Sequence, residues 1–198
     1  MRAVIAVGLV VLLALLGSAV FVYSGIYSVA ATDRHWGLTA QIFEAVRIRS
    51  IRTHAAGIQV PPNLDKTEKL VMGVDHFAAH CAVCHGGPGV PKGDIGKGLY
   101  PSPPDLAHTS QHLSDAEMFW VIKNGLKMTG MPAWSDHSDD EIWATVAFLK
   151  KLPGMTPEDY AKLIMASMQH GGHRHSTSDQ GAASPPAEQS PPSNNHRH

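Results

Sequence analysis

The sequence predicts an all-α protein: one apolar helix able to cross a membrane, followed by a small helical domain. Three observations carry that expectation. Residues 3–31 run for 29 positions without a charged or histidine side chain, more than the ~20 apolar residues that cross a bilayer as a helix. Leu38, Ile42, Phe43, Val46 and Ile51 recur at helical spacing. Ser114-Asp115-Ala116-Glu117 and Ser138-Asp139-Asp140-Glu141 are S-x-x-E capping boxes, in which serine and glutamate satisfy backbone N–H groups where a helix begins.

Taken in order, residues 1–32 read as a transmembrane anchor. Tyr23 and Tyr27 lie towards its far end, where aromatic rings favour the interface. A cleavable signal peptide is the alternative, since Gly17-Ser18-Ala19 and Ser28-Val29-Ala30 place small residues as a peptidase requires. The apolar run is, however, about twice a signal core of ~7–15 residues, so an uncleaved anchor is expected. Residues 33–60 form a basic linker whose helix, 38–56, carries Arg47, Arg49, Arg52 and His54 in its second half. Such a segment rests on anionic lipid or docks a membrane partner; a solvated spacer helix is the plain alternative. His35-Trp36 reads as an interfacial anchor rather than a metal or cofactor ligand.

Val60-Pro61-Pro62-Asn63 breaks the chain and opens the main domain, 61–169. Asp65, with Glu68 three residues on, is the expected N-cap of its first helix. His76 and His80 fall on that helix at i and i+4, a spacing that can bind metal, but both are read as surface residues. The long Gly- and Pro-rich loop from Gly86 to Leu106 lacks the Gly-Lys-Ser/Thr ending and preceding strand of a phosphate loop. A loop of that length needs an organiser. Ile95, Leu99, Tyr100 and Leu106 are its candidates to cover an apolar group.

The first capping box opens a helix carrying Met118, Phe119, Val121 and Ile122, which stops at Asn124-Gly125. The second opens one carrying Ile142, Trp143, Val146, Leu149 and Leu152, which stops at Pro153-Gly154. Trp120 and Trp143 are expected in the core. Pro157 suits the first position of a last helix reaching about Met168. From His170 apolar content collapses, so 170–198 reads as a disordered tail. Its His170, His173, His175, His196 and His198 could bind copper, nickel or zinc ions, or serve only as solubilising residues.

The chemistry lies in Cys81-Ala82-Val83-Cys84-His85, which contains the only two cysteines of 198 residues. C-x-x-C-H is the pattern of covalent haem attachment. On one helical turn, two thiols can each add to a different vinyl group, while the adjacent imidazole becomes the proximal iron ligand. A dithiol redox pair normally follows a strand in a βαβ setting, which is not visible here. A structural zinc site wants four ligands, and there is no second cysteine pair.

A second signal sits 46 residues after His85, in Gly130-Met131-Pro132-Ala133-Trp134. A haem iron that carries electrons needs a sixth ligand, and a methionine thioether supplies one that raises the potential. Met131 is therefore the expected partner of His85, with Met128 the alternative in the same loop; alone, either would read as a core gap-filler.

With these motifs, residues of about 65–152 resemble a class I (mitochondrial-type) monohaem c-type cytochrome, in a membrane-anchored bacterial form. Gly73-x-x-x-Phe77-x-x-x-Cys81 is similar to the family's N-terminal helix, and Ala147-Phe148-Leu149-Lys150 to its C-terminal helix. The resemblance implies that glycine lets the two helices cross closely while the aromatics meet beside the crossing. Thr145 departs from the apolar residue often found three before the second aromatic. The implied cofactor is one covalent haem c, on Cys81 and Cys84, with His85 and Met131 as axial ligands.

Charge adds little. Lys+Arg number 16 against 17 Asp+Glu, so nothing points to nucleic acid. The balance is +3 over residues 1–60 and −4 over 61–169. Arginines after the apolar run would, by the positive-inside rule, favour a cytoplasmic domain. Haem attachment, as the resemblance implies, instead puts it on the periplasmic side of the inner membrane. The expected function is one-electron transfer between redox partner proteins, without catalysis by the chain alone. Two alternatives are a haem-bearing subunit of a larger oxidoreductase complex, and a haem or metal sensor or handler using the histidine tail.

Overall fold

The computed structural model describes residues 1–169, and no β-strand occurs among them beyond one isolated bridge, Gly87 with Val90. The expectations for the tail fall outside the described residues. Helix α1, Arg2–Ser24, is exposed along its whole length and is long and apolar enough to cross a membrane. Its 23 residues rise about 34 Å, enough for a hydrocarbon core of ~30 Å. The helix stops at Gly25, which takes a left-handed φ of 66°, well before the apolar run ends. Beyond it, Trp36 packs on Phe21 and Tyr27. His35 Nδ1 pairs with the Tyr27 hydroxyl at 2.8 Å.

Helix α2, Gly37–Ala55, occupies the expected stretch. Its apolar residues divide sharply: Leu38, Ile42, Phe43 and Val46 are exposed, while Ile51 and Ala55 are buried. The buried end packs on α7, Asp115–Asn124, where His54 stacks on Trp120 at 5.3 Å. The basic second half is thus docked to the domain. Trp120 is only half-buried there, short of the core position expected for it.

Helix α3, Thr67–His76, starts two residues after Asp65 and has no side-chain cap. Asp65 lies 3.7 Å from Lys151 instead, which corrects the expected N-cap. The helix continues through a π-helical turn, Phe77–Cys81, in which Ala82 N–H donates to Phe77 O. It then resumes as α4, Ala82–His85, and ends at Gly86 with φ 72°. Two short helices, α5 Asp94–Gly98 and α6 Leu106–Thr109, interrupt the long loop. Both capping boxes form, opening α7 and α8, Asp139–Lys151. In α9, Pro157–Gln169, Thr156 Oγ1 accepts from Asp159 N–H, and proline holds the first helical position.

The core is built where α3 crosses α8. A Cβ on Gly73 would lie 2.0 Å from Ala144 O and 2.9 Å from Phe148 Cβ, so only glycine permits this approach. Beside it Phe77 and Phe148, both fully buried, meet at 4.9 Å. Each such ring contributes roughly 1.5–3 kcal/mol by leaving water. Tyr160 of α9 closes on both rings, and Phe119 of α7 stacks on Trp143 of α8 at 4.3 Å. The glycine–aromatic crossing implied by the resemblance is present. The reading of His76 as a surface residue is overturned: it is fully buried, because its ring faces Thr145 in the α3–α8 interface.

Candidate functional site

The two cysteines follow directly from the α3–α8 crossing. Cys81 closes the π turn and Cys84 lies within α4; both are free, half-buried thiols. Burial, with a contribution from Cys84, pushes the Cys81 thiol up to about 12. It is therefore protonated at neutral pH, unlike the lowered-pKa thiolate of a redox pair. The pair is held by α5: a Cβ on Gly96 would sit 2.4 Å from Cys84 O, and Gly93 N–H donates to Val83 O at 3.0 Å.

His85 is oriented by the loop that follows. Its Nδ1 lies 2.9 Å from Pro104 O. A carbonyl only accepts, so Nδ1 carries the proton and Nε2 keeps its lone pair. Burial lowers the pKa of the imidazole, against the pull of this hydrogen bond, and favours the neutral ring a metal requires. Lys92 Nζ donates to Pro103 O and to Ser102 Oγ, fixing the segment that presents the Pro104 carbonyl. Neither Pro104 nor Lys92 belongs to a recognisable motif, because both act through backbone oxygens.

Met131 sits in a tight loop between α7 and α8. Thr129 Oγ1 donates to Leu126 O at 2.8 Å and accepts from Met131 N–H at 3.1 Å, while Leu126 N–H donates to Met131 O at 3.2 Å. The half-buried Met131 packs against the core together with Cys81, Ala82, Leu106, Leu113 and Trp134. Met128 differs: it is 74% exposed and takes a left-handed φ of 60°. Gly130 accommodates Leu99, whose Cδ2 would stand 2.4 Å from an added Cβ. Of the other candidates from the long loop, Leu106 joins the core rim, whereas Ile95 is exposed. Tyr100 turns towards the end of the apolar segment, where its hydroxyl accepts from His35 N–H at 2.9 Å.

The residues present fit haem c. They offer two thiols one helical turn apart, a neutral imidazole with Nε2 as donor, a thioether and an apolar rim of half-buried side chains. An all-α domain with this set of donors has what a haem-bearing electron-transfer protein requires.

Residues 69–149 match the family model described as cytochrome C oxidase, cbb3-type, subunit III. The segment is a class I c-type cytochrome domain, and its cofactor is covalently bound haem c. No curated protein matches the chain.

Proposed function

We propose that the chain is a membrane-anchored electron carrier whose haem is attached through Cys81 and Cys84 and ligated by His85 and Met131. The observation that carries this reading is the His85 Nδ1 to Pro104 O hydrogen bond. It commits the ring to one tautomer and orientation, as outer-shell partners of metal-bound imidazoles do. Haem c supplies a one-electron couple when bound. The chain's own part is to aim the imidazole, hold Met131 against the apolar rim and keep water from that rim. Helix α1 anchors the domain, and the domain faces the periplasm.

Replacing Met131 by alanine removes the thioether while leaving the loop bonds of Thr129 and Leu126 intact. The reduction potential of Met131→Ala is expected to fall by on the order of 0.1 V, within the ~0.8 V that axial ligands span. Potentiometric titration of wild type and variant checks this; equal potentials would remove Met131 from the ligand set.

The matched model's description favours a second reading, that the chain is a subunit of a larger oxidase. Detergent extraction separates the two. A haem-loaded chain that purifies alone is a carrier, and one that brings an oxidase polypeptide in fixed ratio is a subunit.

A further inference from the structure

His76, His80 and His137 come together although 61 positions separate the first from the last. Their nearest ligand nitrogens all lie within 4.8 Å of one another. His76 Nε2 and His137 Nδ1 are 3.3 Å apart. A tetrahedral zinc site with Zn–N bonds of ~2.0–2.1 Å has N···N edges of about 3.3–3.4 Å. One edge of the tetrahedron is therefore already in place, and a shift of the half-buried His80 ring by roughly 1.5 Å closes the others.

The tautomer of His76 is set from behind. Thr145 Oγ1 donates its single proton to Glu141 O at 2.9 Å, so it accepts from His76 Nδ1–H at 3.0 Å. Nε2 then turns its lone pair towards His137. Thr145 takes the place of an apolar residue in the helix crossing, and this bond gives it a purpose there. Trp134 walls the cluster, stacking on His137 at 5.2 Å and lying 4.8 Å from His80. Glu141, whose carboxyl is held below the usual range first by its hydrogen bond with the Ser138 side chain, places a negative charge nearby.

We infer that His76, His80 and His137 form a binding site for a divalent transition metal, zinc in the first instance, with Thr145 as the outer-shell support. Three imidazoles without thiolate or carboxylate suit zinc, copper or nickel and disfavour calcium and magnesium. A metal there ties the end of α3 and the π turn, where His80 directly precedes Cys81, to the segment that follows the methionine loop. The inference does not rest on the axial ligands proposed above.

The test is a zinc titration by calorimetry of the full, haem-loaded, chelator-washed chain, beside His137→Ala and Thr145→Val. Histidines beyond residue 169 are common to all three and cancel in the comparison. Wild type is expected to bind one more zinc than His137→Ala, and Thr145→Val to bind that zinc 10–100-fold more weakly. An unchanged visible spectrum shows that each variant is folded. Should His137→Ala lose its haem, His80→Gln replaces it, with the same loss of one zinc expected. Equal stoichiometry and affinity in wild type and the folded histidine variant would overturn the site, leaving the His137–His76 contact as a hydrogen bond only.

Discussion

Replacing Cys81 and Cys84 together by alanine is expected to abolish covalently held haem. In wild type the porphyrin should survive denaturing electrophoresis, because thioether bonds do not depend on the fold. The double variant should show no haem-associated band, even where the polypeptide is present in equal amount. Each single variant keeps one thiol and should retain a fraction of the signal. The effect reaches beyond colour. A domain of this size has a modest apolar core, and Cys81, Ala82, Leu106, Leu113 and Met131 are only half-buried at its edge. Without a group held against that rim, the chain should be markedly less stable. Haem that washes out of denatured wild type would contradict the attachment.

Gly73→Ala should destabilise the domain by about 2–3 kcal/mol, an overpacking cost in the upper part of the usual range. The added Cβ would stand 2.0 Å from Ala144 O and 2.6 Å from Ala144 C. Both are backbone atoms of α8, so no rotamer change relieves the clash and the helices must separate. On an exposed helix the same change would stabilise by ~1 kcal/mol. The sign alone therefore reports the crossing. For a domain near 100 residues the loss corresponds to a fall in melting temperature on the order of 10–20 °C. Thermal unfolding of the haem-loaded variant checks it; an equal or higher melting temperature would mean that α3 and α8 do not meet at Gly73.

Much of this arrangement was legible because it is written in local spacing. The C-x-x-C-H turn, the two capping boxes and the Gly73–Phe77 pair each specify geometry within a few residues. The structure places the helices from those signals closely, with both boxes formed. What stayed hidden depends on distant partners. His76 looked like a surface residue because its partners Thr145 and His137 lie 69 and 61 positions away. Tyr100 looked like a loop residue that covers an apolar group, but a contact 65 positions back draws it to His35. Asp65 had the composition of a cap, yet the helix starts too late for it to serve. Besides the His76–His80 spacing, Thr145 was a visible clue to the histidine cluster: a polar residue in an apolar crossing needs a partner, and His76 was one turn from Gly73 on the facing helix.

The ligand pair His85 and Met131 is tested most directly by carbon monoxide. Added at neutral pH to the reduced, haem-loaded protein, it should leave the visible spectrum of wild type unchanged if, as proposed, Met131 holds the sixth position. Met131→Ala should bind it and change its spectrum at once. A wild type that takes up carbon monoxide as readily as Met131→Ala would contradict the account, and the chain would be a ligand-binding haem protein rather than an electron carrier.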